Sequence, residues 1–312
     1  MQGIFVYLDL LGFSNYTRTD LVGAVGLIDS QRAILDVKLG DAEWYKSNGT
    51  PLEPFQRDRL VTSFVHFLPF SDSLCIAATD ANLFVPQLAH FLISAFSFTG
   101  HAYAHGDTPG NPENVEIPVI GLHGITMERR NWFPVLWRGG VSFGQFERVG
   151  TRGIVDGNRT DCPLLVGDAV VRAVGMEKPG DDEALRKGPR LFFDPPAMAA
   201  VTDSRLLPYF DPAPGIPNCM ELLWPAFHLV SGNNPESELL GLHELLEPAV
   251  VLWRSKRGTK VELHYFEFIR LICRGALRWA TVNGLSQTKA RGILSRQLDQ
   301  FGATNLAMCS FE

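Results

Sequence analysis

The sequence predicts an α+β fold with a β-α-β-β-α-β core, and three observations point to it. Short runs rich in β-branched and aromatic residues alternate with long helical patterns. Two of those runs are joined by a tight polar turn. The tail carries only helical periodicity. With 46% apolar residues in 312, the chain can bury a sizeable core and is not a disordered one. Its 34 acidic and 28 basic residues give a formal charge of −6, which argues against a protein that coats nucleic acid.

The elements follow in order. Ile4–Leu8 reads as a buried strand, broken by Gly12 and Ser14 in Leu10–Tyr16. From Leu21 to about Lys46 the apolar spacing turns helical, and Asn48-Gly49 and Pro51 end it. Val61–Phe70 and Leu74–Ala78 read as a hairpin with Asp72 at its tip. Phe84, Leu88, Phe91, Leu92 and Ala95 share one helical face. Residues 100–134, rich in Gly, Pro, His and Asn, read as an insertion, a long loop or irregular excursion. Val135–Phe146 is the next strand and Gly150–Asp161 a polar connection. Val166–Glu177 is a short helix, and Arg190–Phe193 and Met220–Trp224 are strands. That order is the ferredoxin-like palm arrangement with additions. Glu238–Trp253, Glu262–Ala280 and Thr288–Phe301 read as helices of an extension. The division is therefore a core domain, 1–230, and a helical extension, 231–312.

Five scattered cysteines, Cys75, Cys162, Cys219, Cys273 and Cys309, form no Cys-x-x-Cys pair, which fits a reducing compartment. Asp9 cuts the first apolar run short, so the N-terminus does not read as a signal peptide. No uncharged apolar run is read as reaching about 18 residues, so no transmembrane helix is expected. The expectation is a cytoplasmic protein that engages neither membrane nor nucleic acid. His101 and His105 are spaced to bind zinc only if their stretch is helical and a further ligand exists, with His123 nearby in sequence.

Two aspartates carry the sharpest signal. Asp9 ends the first strand in Tyr7-Leu8-Asp9-Leu10-Leu11-Gly12-Phe13-Ser14, and Asp72 occupies the hairpin turn Ser71-Asp72-Ser73. Either alone suits a cap or a turn. In a β-α-β-β unit the first strand lies beside the hairpin, so the two carboxylates meet at the sheet's edge. Paired carboxylates there suit Mg²⁺ or Mn²⁺, two ions bridging a triphosphate. The loop Leu11–Ser14 would offer backbone N–H groups to phosphates.

The phrasing of both segments resembles the class III nucleotidyl cyclases, over about residues 3–225. Asp9-Leu10-Leu11-Gly12-Phe13-Ser14 and Ser71-Asp72-Ser73 are similar to the family's metal motifs. Arg138-Gly139-Gly140-Val141-Ser142-Phe143-Gly144 looks like its next core strand, and Gly167–Ala173 like its dimer-interface helix. The resemblance implies metal ligation by Asp9, Asp72 and the Leu10 carbonyl, and a homodimer that shares its sites. The family's purine-selecting positions fall near Leu68 and Leu164, both apolar. Its interface Asn and Arg align to Val171 and Gly175, with an arginine instead at Arg172.

Intact metal motifs without the purine pair look like the bacterial pyrimidine cyclases of Pycsar anti-phage systems. That likeness implies UTP, or else CTP, as substrate and a cyclic-nucleotide-responsive effector downstream. Arg172 is then expected to stabilise the triphosphate, Arg138 to reach the base or the phosphates, and Phe70 to stack on the base. The competing readings are a cytidylate or adenylate cyclase, and a degenerate cyclase-like domain that only binds nucleotide.

Overall fold

The computed structural model describes residues 1–49, 53–105, 110, 115–121, 124–130, 133–155, 158–177, 187–229, 234–303 and 306. Strand β1 (Gln2–Leu10) leads into α1 (Phe13–Thr19) and α2 (Leu21–Asn48). Asp20 starts α2 by accepting a hydrogen bond from the Gly23 N–H at 3.0 Å, and Gly49 ends it in the left-handed conformation, φ 60°. A short α3 (Pro54–Arg59) precedes β2 (Phe64–Phe70) and β3 (Ser73–Ala78), the expected hairpin. Next come α4 (Ala81–His105), β4 (Val115–Gly121), β5 (Gly124–Arg130) and β6 (Trp137–Gln145).

These strands lie in the order β6-β1-β3-β2, every neighbouring pair antiparallel. The fourth strand of the unit sits beside its first, then come the third and the second. This is the palm order that the sequence predicts. Alternation along β1 sorts the two faces. Ile4, Val6, Leu8 and Leu10 join the main core, which also holds residues of α2 and α4. Phe5 and Tyr7 point to the other face.

That second face is covered by α5 (Asp168–Glu177), which follows the hairpin β7 (Glu147–Val155) and β8 (Asn158–Val166). Phe5, Ala77, Phe146, Ala169 and Ala173 form the small core between α5 and the sheet. The helix sits close because β6 is glycine-rich. A Cβ at Gly140 would stand 2.3 Å from the Ala173 carbonyl oxygen, and one at Gly144 2.8 Å from the Arg172 guanidinium.

Beyond β6 the sheet continues through β9 (Leu191–Phe193), parallel to it. After α6 (Pro195–Ala200) come β10 (Phe210–Pro212) and β11 (Met220–Leu222), with β11 between β9 and β10. Helices α7 (Pro235–Leu240), α8 (His243–Ser255), α9 (Glu262–Val282) and α10 (Gln287–Gln300) complete the chain. Their apolar faces belong to the same cluster as β1 and α4. Arg274 of α9 reaches Glu221 at 3.0 Å and Asp211 at 2.7 Å, pinning the helix to the strand edge. The boundary expected near 230 falls on residues 230–233, outside the described ones.

Several elements differ from the sequence reading. Gly100–His105 is not irregular: it is the last turn and a half of α4. A glycine suits the helix there because a Cβ at Gly100 would lie 3.0 Å from Pro248 of α8. Val115–Gly121 and Gly124–Arg130 pair antiparallel as β4 and β5, and the polar stretch 150–161 belongs mostly to β7 and β8. The helix expected over Glu238–Trp253 is broken at Gly241-Leu242 into α7 and α8. Helix α4 has 25 residues with no Asp, Glu, Lys or Arg, long and apolar enough to cross a bilayer. Most of it is buried inside the protein, as a core helix is.

Candidate active site

Asp9 and Asp72 come together because β1 is the inner neighbour of the hairpin. Asp9 pairs with Ser73 across the β1–β3 ladder, and the Leu10 N–H donates to the Asp72 carbonyl at 2.9 Å. The turn holding Asp72 is strained: Ser71 has φ 55°, in the left-handed region that residues other than glycine rarely visit.

Tyr7 stands two residues before Asp9 and so lies on the same face of β1. Its hydroxyl hydrogen-bonds with the Ser73 hydroxyl at 2.7 Å. Burial raises the phenol's pKa, the Ser73 bond opposes that, and the nearby charges of Asp9, Glu177 and Asp72 raise it further. Tyr7 therefore stays a neutral hydroxyl among acids.

On its other side Asp9 pairs with Arg138 of β6. The same Arg138 Nη2 lies 3.1 Å from Asp9 Oδ2 and 2.6 Å from Glu177 Oε1. Arg138, expected on base or phosphates, thus bridges Asp9 to the last residue of α5. The Glu177 side chain is 3% exposed against 19% for Asp9. Sequence reasoning missed Tyr7, Ser73 and Glu177. The period of two along β1 is enough to find Tyr7, whereas Glu177 required knowing that α5 covers this face.

The other expected residues are placed as follows. Leu11 is buried and donates its N–H to the Leu136 carbonyl at 2.8 Å. Gly12 turns the chain with φ 88°, Phe13 packs against the core, and Ser14 is exposed at the start of α1. Phe70 is 70% exposed at the end of β2, beside the turn. Leu68 lies in β2 opposite Cys75, but Leu164 lies in the β7–β8 hairpin, a separate sheet.

Arg172 bonds within its own chain. Its Nη1 donates to Asp168 at 2.7 Å and its Nη2 to the Phe143 carbonyl at 2.7 Å. Its Nε lies 2.9 Å from the Ser142 hydroxyl and 3.0 Å from Asp194. Asp194 is buried and also caps α6, accepting the Ala197 N–H at 2.8 Å. The outward side of α5 shows Val171 and Val174, 72% and 43% exposed.

His101 and His105 do lie on one helix face with stacked rings, and His105 Nε2 is 3.3 Å from Glu247. His123 lies outside the described residues. Among the described residues no group of three or more His, Cys, Asp or Glu side chains is arranged to hold a metal ion. A cavity of about 560 Å³ between α4 and α9, lined by Arg59, His90, Tyr209, Phe227 and Trp279 among others, includes neither aspartate.

The residues at the aspartate edge fit a hard divalent cation on their chemistry. The donors are carboxylate and carbonyl oxygens, and Asp9, Asp72 and Glu177 against Arg138 leave a formal surplus of two negative charges. Two protein carboxylates would leave the other ligands of such an ion to water or a bound phosphate.

No known family model and no curated protein matches this sequence. Among solved structures, the chain is similar to one described as an adenylate cyclase from Trypanosoma brucei in its monomeric state. The TM-score is 0.36 and the identity 10%, over 71% of this chain and 87% of that one. The functional reading rests on the strand order and on the aspartate edge.

Proposed function

We propose that this chain is a nucleotidyl cyclase of the class III kind, taking UTP to 3′,5′-cyclic UMP and diphosphate. The observation that carries the reading is the meeting of Asp9 and Asp72 at one edge of a palm-ordered sheet, tied by the Leu10 N–H to the Asp72 carbonyl.

Asp9, Asp72 and the Leu10 carbonyl would hold Mg²⁺ or Mn²⁺, two ions when the triphosphate is present. Bound metal supplies Lewis acidity toward the ribose 3′-hydroxyl and neutralises charge on the phosphates. In the reaction the 3′ oxygen bonds to the α-phosphorus and the bond to the β-phosphate oxygen breaks. Diphosphate leaves, and the hydroxyl proton passes to solvent. Tyr7 and Ser73 keep a neutral floor beneath the acids. Arg172 acts by position, locking α5 onto β6 through Phe143, Ser142 and Asp194. The turn Leu11–Ser14 would border the triphosphate, and the exposed Phe70 would stack on the base.

The choice of a pyrimidine rests on the absence of a polar purine-selecting pair, with apolar Leu68 in β2. The product would serve as a second messenger in antiviral defence, read in the cytoplasm by a cyclic-nucleotide effector. Two chains would pair through the outward valines of α5. A second reading, a nucleotide-binding module without chemistry, is favoured by one observation: Asp9 already carries a counter-ion in Arg138. Incubation with each NTP and Mn²⁺, with products resolved by mass, separates the two, because a binding module returns every NTP unchanged.

A further inference from the structure

Arg138 occupies the position of a cation at a carboxylate that the proposed chemistry assigns to a metal. We propose that Arg138 is a built-in counter-ion that competes with the divalent ion for Asp9, and that Glu177 retains the guanidinium when the ion takes its place. The inference rests on the reading of Asp9 and Asp72 as metal ligands.

The difference in burial sets the order of release. A single nitrogen, Arg138 Nη2, contacts both acids, 2.6 Å from Glu177 and 3.1 Å from Asp9. Glu177 is the more deeply buried, and a buried carboxylate stripped of its counter-ion is strongly penalised. Asp9 accepts the hydrogen bond but is the more exposed partner, and water can replace what it loses, so it is the contact to give up. The Arg138 backbone is fixed in β6 opposite Asp9, with the next N–H, that of Gly139, donating to the Arg190 carbonyl at 2.9 Å. The guanidinium therefore exchanges one partner without leaving the neighbourhood. Glu177 closes α5, whose Ala173 and Met176 lie directly over Gly140, so the retaining carboxylate is positioned by helix packing.

One consequence is weak metal binding by the empty enzyme. The ion alone must displace a cation from Asp9, whereas an ion arriving with a triphosphate brings its own ligands. Glu177 and Arg138 are positioning residues here: they set the affinity of Asp9 for the ion.

The test is a titration of Mn²⁺ into the full chain without nucleotide, following free Mn²⁺ by its EPR signal. The informative variant is Arg138→Met with Glu177→Gln. It removes both members of the pair, leaves no buried unpaired carboxylate, and keeps the same formal charge at the edge. Removing a cation in contact with Asp9 should tighten Mn²⁺ binding on the order of tenfold, the Coulomb repulsion being reduced by partial exposure. Glu177→Gln alone should weaken binding, because Arg138 then falls back on Asp9. Adding Asp72→Asn to the double variant should remove the gain. Unchanged or weaker binding by the double variant, in a protein where Asp72→Asn does weaken Mn²⁺, would overturn the competition and leave the metal reading standing. No Mn²⁺ binding by any variant, or binding that ignores Asp72→Asn, would overturn the metal reading and this inference with it.

Discussion

At Asp9, one side chain answers to three neighbours: Ser73 across one ladder, Arg138 across the other, and Tyr7 two residues back on the same face. Its position at the edge follows from the first strand being the inner neighbour of the hairpin, and that much was legible in the sequence. The counter-ion was not, because a lone arginine near a strand start carries no mark of its partner. Arg172 teaches the same lesson. The sequence suggested a triphosphate ligand, and the structure shows four contacts within its own chain. The glycines of β6 give a residue-scale prediction. Gly140→Ala puts a methyl group where the α5 backbone lies 2.3 Å away, and that backbone cannot yield without lifting the helix. Urea unfolding should show a loss of about 1–3 kcal/mol, the usual cost of overpacking.

Among the elements, α5 and α6 depend on one buried acid. Asp194 caps α6, accepts from Ser142 at 2.5 Å and holds the Arg172 guanidinium. Asp194→Ala removes the cap and leaves Arg172 short of a partner. The expected cost is about 3 kcal/mol, seen as an earlier urea midpoint with unchanged slope. Helices α4 and α9 make the fold sensitive to acid. Burial, and the charges of Arg59, Lys38 and His228, push His90 of α4 down to about 3. Burial, with Lys187 and Arg138, pushes His264 of α9 down to about 4, and its Nδ1 accepts the Gly188 N–H. Both stay neutral in the folded protein while the unfolded chain takes up protons below its ordinary value of about 6.5. This stabilisation is therefore full above pH 6.5 and is lost as pH falls toward 4, His90 continuing toward 3. The urea midpoint should decline over that window, and His90→Leu should flatten the decline; an unchanged slope would contradict the assignment. Element types were largely readable from period and punctuation. The errors came where tertiary contact overrode composition: Gly100 reads as a breaker, yet α4 runs through it, and a Cβ there would crowd Pro248 of α8.

For the molecule as a whole, the palm order was predictable from the succession of elements, because connection rules leave few ways to arrange them. The sheet's extension by β9, β11 and β10 was less so, since three-residue strands carry little periodicity. The packing of the C-terminal helices on α4 was not, because an amphipathic pattern shows that a face is buried but not against what. Assembly is the scale at which the shared-site proposal is tested. Val171→Asp on the outward face of α5 should leave folding intact, since Val171 is 72% exposed. It should shift a dimer to monomer in sedimentation velocity and lower cyclisation in parallel; a monomeric wild-type protein with full activity would contradict pairing. The central claim is that Asp9 and Asp72 make this chain a cyclase. It is tested most directly by incubating wild-type, Asp9→Asn and Asp72→Asn proteins with equal amounts of the four NTPs and Mn²⁺, and separating products by mass. The account predicts cyclic UMP as the main wild-type product and none from either folded variant. No cyclic nucleotide from the wild type, or the same product from both variants, would contradict it.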